Sequence, residues 1–261
     1  MIHLRTPEEV ELIRRSARMV SACLDYLEPL VLPGTTPKEL DRLADEFVRD
    51  QGAVPAFKGY RGYPATLCVS VNDAVVHGIP NGEPFQEGDI VGLDMGVVLD
   101  GYYGDSARTL PVGEVTEEAE RLLRVTREAL YRGIDQAVAG RRVGDIGHAV
   151  QSHAEGFGFN VVRELVGHGV GRQLHEEPQV PNYGTAGRGT KLAVGMVIAI
   201  EPMVCLGSAD VYTMPDNWTI RTKDRSLSAH FEHTVAVGLE EPEILSVSEP
   251  RGDADRRVAG A

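Results

Sequence analysis

The sequence predicts an α+β protein built from two halves, each with a pair of helices followed by strands. Three observations predict it. Apolar residues recur at helical spacing in two runs at the start of each half. Short apolar runs broken by turn residues follow each pair. One local pattern also occurs twice: Gly88-Asp89-Ile90-Val91-Gly92-Leu93-Asp94 and Gly195-Met196-Val197-Ile198-Ala199-Ile200-Glu201, each with a carboxylate six residues after its glycine. An internal duplication accounts for the repeat, with each half supplying equivalent acids to a shared seam.

The first helix starts at Thr6 followed by Pro7-Glu8-Glu9, which puts proline in the first turn and acids at the positive end of the helix dipole. Val10, Ile13, Ala17, Val20 and Leu24 then form one apolar face, and Pro33-Gly34 ends the run. Thr36-Pro37-Lys38-Glu39 opens a second helix, with Leu40, Leu43, Ala44 and Phe47 on one face, ending near Gly52. The runs TLCVSV, VVHGI and DIVGLDMGVVL read as strands, the last turning back at Asp100-Gly101. The second half begins with a helix near Thr116 carrying Leu122, Val125, Ala129 and Ile134. Another follows Gly140, carrying Ile146, Val150 and His153 until Gly156. NVVREL, GMVIAIEPMVC and HTVAVGL read as strands. Residues 1–248 are expected to form one domain, with halves at about 7–112 and 116–246. The stretch 249–261 has almost no large apolar residues and reads as a disordered tail.

A chain of 261 residues with 42% hydrophobic content suits one large domain or two small ones. The formal charge of −13 argues against broad nucleic-acid or membrane-surface binding, which needs a basic face. Cys23, Cys68 and Cys205 are odd in number and irregular in spacing, which suits free thiols in a reducing compartment. No stretch approaches the length of a membrane span, and the charged start has no apolar signal core, so a cytoplasmic location is expected. Without secretion, the glycosylation-like Asn217-Trp218-Thr219 is a chance match, as is Arg251-Gly252-Asp253.

Five residues carry the chemistry: Asp94, Asp105, His168, Glu201 and Glu232, each in or beside an apolar, strand-like run. Each has a plain structural explanation alone. Asp94 reads as a turn residue, His168 as part of a flexible glycine loop, Glu201 as an exposed strand end and Glu232 as one position of an alternating edge strand. Together they pose a charge problem. Four carboxylates cannot converge unpaired, because like charges at short range are costly. Divalent cations resolve it, and oxygen-rich ligation with one imidazole suits manganese, ferrous iron or cobalt and tolerates zinc. A hairpin at Asp100-Gly101 puts Asp94 and Asp105 on facing strands as near neighbours. The glycines beside His168 allow close backbone approach. His175-Glu176-Glu177-Pro178 is no zinc-protease helix, since Gln179 stands where a second histidine belongs. His77 precedes a glycine turn and reads as a structural histidine. His148 and His153 read as helix-face residues, and His230 and His233 as structural or surface ones.

With the strings VVHGIP, GHGVGR, LHEEP and AIEP, these five residues closely resemble type I bacterial methionine aminopeptidases from about residue 5 to 246. The resemblance implies the "pita-bread" fold, whose pseudo-twofold symmetry matches the duplication. It implies removal of the initiator methionine from nascent chains when the second residue is small, by hydrolysis with a hydroxide bridging two divalent ions of cobalt, manganese, iron or zinc. Carried over, Asp94 and Asp105 hold one metal; Asp105, His168 and Glu201 hold the second; Glu232 bridges. Glu201 shuttles the proton, His175 stabilises the oxyanion and His77 contacts substrate. Phe57, Tyr60, Tyr63, Cys68 and Trp218 line the methionine pocket, an apolar, partly aromatic slot suited to a thioether. Asn72 and Ser228 match positions that hold a monovalent cation in some members. The implied partners are methionine-bearing N-termini of nascent polypeptides, with transient ribosome contact; the protein is expected to be a monomer, without membrane or sequence-specific nucleic-acid partners.

Phe57 and Leu174 depart from the family pattern, standing where a cysteine and an aromatic residue are familiar, which bears on pocket shape. Three relatives share the metal set or the fold. Type II members carry a long insertion between the last two acids, whereas Glu201 and Glu232 are close in sequence here. Prolidase and aminopeptidase P need a large N-terminal domain for which the chain before Asp94 has no room. Creatinase works without metals, against five intact ligands. No zinc-finger or proline-rich extension precedes residue 5. A non-catalytic peptide- or RNA-binding relative of the same fold would have lost ligands and gained basic segments.

Overall fold

The computed structural model describes residues 1–247. Helix α1 (Pro7–Leu27) starts where the sequence predicts: the Thr6 hydroxyl accepts from the Glu9 backbone and the Glu9 carboxylate accepts from the Thr6 backbone, so two orphan donors are satisfied reciprocally. Helix α2 (Pro37–Asp50) is capped by Thr36. Strands β1 (Val54–Pro55), β2 (Leu67–Val71), β3 (Ala74–Val76), β4 (Ile90–Leu99) and β5 (Tyr102–Pro111) complete the first half. Helices α3 (Glu117–Ile134), capped by Thr116, and α4 (Val143–Gly156) open the second. Then come β6 (Asn160–Val161), β7 (Gly167–Gly169), β8 (Glu176–Val180), β9 (Val197–Ile200), β10 (Met203–Cys205), β11 (Val211–Thr213), β12 (Ile220–Thr222), β13 (Ser228–His230), β14 (Glu232–Ala236) and β15 (Glu243–Ile244).

The main sheet runs β1-β4-β5-β14-β9-β7-β8, with β2 also on β4 and β15 also on β14. Every pairing in it is antiparallel. β4 and β5 form the predicted hairpin: Asp100 and Gly101 both take positive φ, 52° and 78°, as a tight turn matching strand twist requires. Two three-stranded sheets, β13-β10-β6 and β11-β12-β3, flank the main one.

The first helix pair packs with β2 and β4 through Leu24, Leu40, Leu67 and Leu93, all buried. The second pair splits its apolar residues between Leu130 and Ile146, which pack with Ile200 of β9, on one side and Leu122, Val125 and Val150 on the other. Two strand expectations shorten. NVVREL pairs only at Asn160–Val161, and GMVIAIEPMVC divides at Glu201-Pro202 into β9 and β10, because proline supplies no ladder donor. Among the described residues no helix is long and apolar enough to cross a membrane. The stretch expected to be a disordered tail, 249–261, and the domain's expected last residue, 248, lie outside the described residues.

Candidate active site

The site is assembled by sheet register. Asp94 on β4 faces Ala107 on β5, and Ala107 on its other side faces Glu232 on β14. The three lie in one row across three strands and so project to one face. Asp105 sits two residues from Ala107, opposite Gly96, on that same face and diagonal to Asp94. Glu201 comes one residue after the Ile200–His233 pair at the end of β9. His168 is the middle residue of β7, which pairs β9 through Gly169 and Ile198. The flanking glycines explain how β7 fits so closely. A Cβ on Gly167 would lie 2.3 Å from the Ala199 carbonyl oxygen, and one on Gly169 2.4 Å from that of Glu177.

All five residues line one cavity of about 180 Å³. Asp105, His168 and Glu232 have ligand atoms within 4.8 Å of one another, as three donors around a cation need. His168 Nε2 lies 3.5 Å from Glu201 Oε1 and 3.9 Å from Asp105 Oδ2. Its Nδ1 donates to the Gly169 carbonyl at 2.9 Å, which leaves Nε2 as the free lone pair facing the acids. Burial pushes the Asp94 carboxyl up to about 7. Burial first, and then the neighbouring carboxylates, push Asp105, Glu201 and Glu232 well above the ordinary range. Burial lowers His168 to about 4, so its imidazole is neutral at pH 7.

Asp94 Oδ1, Asp105 Oδ1 and Glu232 Oε1 are buried without a hydrogen-bond partner. Buried polar atoms seldom stay unpaired, and here they belong to acids that repel one another. Divalent cations fit this donor set: they pair the orphaned oxygens, offset the repulsion and accept a neutral imidazole.

The other wall of the cavity is formed by Phe57, Tyr60, Tyr63, Cys68, Leu174 and Trp218. Tyr63 meets Trp218 edge-on, with ring centroids 5.0 Å apart, and its hydroxyl donates to the Leu67 and Gly78 carbonyls at 2.9 Å each. His77 also lines the cavity, 6.4 Å from the Trp218 ring, at a φ of 58° that is uncommon outside glycine. His175 sits at the mouth beside His168, with ring centroids 4.2 Å apart, and its Nδ1 lies 2.9 Å from the Tyr60 hydroxyl. Its pKa is pushed down to about 3, by partial burial first and by His168 next. Asn72 and Ser228 are neighbours too: the Ser228 backbone N–H donates to the Asn72 carbonyl at 2.9 Å.

Sequence reasoning missed two participants. His230, read as structural or surface, is buried, with an unpartnered Nε2 3.8 Å from Glu201 Oε2. Its place at the end of β13, two residues before Glu232, was the available signal. Arg61 lines the mouth, and nothing in its surroundings in sequence marks it. His233, by contrast, bonds the Ser246 hydroxyl at 2.8 Å, and His153 pairs with Glu128 at 2.9 Å, both away from the cavity.

A buried acid cluster at the centre of an antiparallel sheet, opening on an apolar slot, defines a metal-dependent hydrolase. The chain belongs to metallopeptidase family M24, whose model matches residues 11–238. It is 48% identical to the methionine aminopeptidase of Clostridium acetobutylicum over 250 residues, 95% of this chain and 100% of that protein. The crystal structure of the methionine aminopeptidase of Thermotoga maritima matches with a TM-score of 0.94 at 46% identity, over 95% of this chain and 100% of that one. Prolidase from Pyrococcus furiosus shares the fold alone, with a TM-score of 0.78 at 22% identity, over 95% of this chain and 66% of that one.

Proposed function

We propose that this chain removes the initiator methionine from nascent polypeptides whose second residue is small. One observation carries the reading: the slot lined by Phe57, Tyr63, Cys68 and Trp218 opens onto the acid cluster within a single cavity. A methionine side chain in that slot brings its own carbonyl to the acids.

In this reading Asp94 and Asp105 would hold one divalent cation, Asp105, His168 and Glu201 would hold a second, and Glu232 would serve the pair. When bound, such cations, of cobalt, manganese, iron or zinc, polarise the scissile carbonyl and acidify water. Glu201 takes the proton from the attacking water and returns it to the departing amine. His175 donates to the oxygen on which negative charge develops. Tyr60 supports that role: its hydroxyl lies 2.9 Å from Nδ1, and by donating there it would leave the proton on Nε2. His77, on the wall with Trp218, contacts the substrate and steadies charge at the departing group. Asn72 and Ser228 contribute to a monovalent-cation site beside the cavity.

The same register supports two duplicated halves, about 7–112 and 116–246. Asp94 and Asp105 come from one and the other three ligands from the second, so the cavity straddles the seam. The protein acts as a monomer in the cytoplasm, with transient ribosome contact. The test is methionine release from the peptide Met-Ala-Ser, with and without added manganese or cobalt, beside Met-Leu-Ser. Release from the alanine peptide alone, dependent on the cation, is expected. Absence of release under every condition overturns the reading.

A further inference from the structure

Residues 171–175, which carry His175 to the cavity, form a bend between β7 and β8 and belong to neither strand. Glu176, the first residue of β8, supports this bend through its side chain. One carboxylate oxygen accepts from the backbone N–H of Arg172 at 2.8 Å and of Gln173 at 3.0 Å. The other accepts from the guanidinium of Arg5, which comes from the segment before α1, 171 positions earlier. Both side chains of this ion pair are almost fully buried, 6% and 8% exposed. The bend ends on Leu174, which is buried, and His175, whose Nδ1 lies 2.9 Å from the Tyr60 hydroxyl. Tyr60 thus holds the imidazole ring, and Glu176 holds the backbone behind it.

The arginine is itself fixed on several sides. Its backbone N–H donates to the Gly195 carbonyl at 2.7 Å, and the next residue, Thr6, caps α1. Its Nη1 lies 3.9 Å from Glu9 Oε1, and Glu9 also accepts from the Tyr102 hydroxyl at 2.7 Å. Two glycines make room for it. A Cβ on Gly171 would fall 2.3 Å from the Arg5 guanidinium, and one on Gly195 2.9 Å from the Arg5 carbonyl oxygen. Arg5 does not line the cavity that holds the acids, so any effect it has on the reaction passes through Glu176. An ion pair taken out of water is a weak source of stability, since apolar side chains of similar size hold a fold as well. What it supplies and they do not is direction, because charge-assisted hydrogen bonds hold donor and acceptor in one geometry.

We propose that Arg5 and Glu176 are positioning residues for His175: their buried pair fixes the bend that aims its imidazole at the scissile carbonyl. The inference rests on the aminopeptidase reading, in which His175 donates to the oxygen where charge develops. Such a donor works only when it is already in place, and a displacement of about an ångström can lower the rate on the order of a hundredfold. Without the guanidinium, the Glu176 carboxylate is left buried and unpaired. It then turns toward water, and the N–H groups of Arg172 and Gln173 lose their acceptor. The bend loosens at the residue where the reaction has least tolerance, while the acid cluster, held by sheet register, stays as it is.

The test is a kinetic cycle on the cation-loaded enzyme with Met-Ala-Ser: wild type, Arg5→Met, His175→Ala and the double variant, run below the melting temperature of each. Arg5→Met should lose roughly 10- to 100-fold in kcat with KM within about twofold of the wild type. Arg5→Lys, which keeps a cation beside Glu176, should recover most of that loss. In the His175→Ala background Arg5→Met should change kcat less than about twofold, because the group being aimed is gone. Glu176→Gln, which keeps the shape and removes the charge, should show the same dependence on His175 and serves where Arg5→Met does not fold. Unchanged kcat in both Arg5→Met and Glu176→Gln, a loss confined to KM, or an equal loss with and without His175 overturns the proposal and leaves the pair a support of the fold alone. Absence of turnover in the wild type itself overturns the aminopeptidase reading beneath it, a distinct result.

Discussion

At the scale of single residues the cavity depends on close contacts that leave little tolerance. Phe57 fills part of the slot because the residue across from it is Gly96: a Cβ there would lie 2.8 Å from the Phe57 ring and 3.0 Å from the Ala56 Cβ. Gly96→Ala is therefore expected to push the ring into the slot, lowering stability by about 1–3 kcal/mol and raising KM for methionine peptides. Phe57→Leu in the same chain should recover part of both losses, because the two changes act on one contact. Thermal melts and steady-state kinetics on the four members of the cycle check this, and strict additivity refutes the coupling. His175 is a different case. His175→Ala should fold and bind divalent cations as the wild type does, yet lose on the order of 10²–10³ in kcat, the usual loss of one oxyanion donor. Full retained turnover removes His175 from the mechanism.

At the scale of elements the informative join is β5 with β14, where strands far apart in the chain meet. Only Glu232–Ala107 and His233–Ser106 pair in register there, and hydroxyls extend the join. Thr234 donates to the Asp105 carbonyl at 2.7 Å and accepts from the Asp105 N–H at 3.2 Å, while Ser106 donates to the Glu232 carbonyl at 2.7 Å. Thr109 and the His230 backbone exchange a similar pair at 2.8 and 2.9 Å. The backbones of three site residues thus hang on side-chain hydroxyls. Thr234→Val, nearly isosteric, strands the Asp105 N–H and carbonyl and should cost about 2–3 kcal/mol, with weaker divalent binding by calorimetry; unchanged binding would show that Asp105 is held by other means. A second element-level tie joins α2 to the segment before β2. Asp45 accepts from Arg49 at 2.8 Å, Lys58 at 3.0 Å and the Thr66 hydroxyl at 2.8 Å, and Arg49 above all holds its carboxyl down at about 2 from an ordinary 3.8. A depressed folded-state pKa stabilises above the unfolded value and the gain is lost as pH falls through the folded one. Asp45→Asn should therefore cost about 1–2 kcal/mol near neutrality, after allowance for screening. That difference should shrink between pH 4 and pH 2 in denaturant titrations; a constant difference refutes the linkage. The helix starts at Thr6, Thr36 and Thr116 and the Asp100-Gly101 turn were legible because capping and turn chemistry are local. So was the Asp94–Asp105 neighbourhood, which a hairpin fixes. The order β5-β14-β9-β7 was not, since it depends on contacts far apart in sequence; nor was the approach of His230 to Glu201, which follows from the pairing of β13 with β10.

At the scale of the whole molecule the site is also a cross-link. The five ligands proposed above lie on β4, β5, β7, β14 and at the end of β9, consecutive members of the main sheet apart from their order in the chain. In that reading cations held there would tie these strands together at the sheet's centre and offset the repulsion among the buried acids Asp105, Glu201 and Glu232. A ligand that binds the folded chain alone stabilises it by mass action, about 2.7 kcal/mol at a hundred times its dissociation constant. For a chain of this size each kcal/mol raises the melting temperature by roughly 2–4 °C. Removing divalent ions with a chelator should therefore lower the melting temperature by several degrees as it abolishes turnover, and added manganese should restore both together. Glu232→Gln keeps the shape and removes one charge from the centre of the cluster. It should melt no lower than the wild type in chelator, because a buried repulsion is gone, yet gain less from manganese. If the wild type melts identically with and without divalent ions, the cluster is no cross-link and its acids are held apart by the sheet alone.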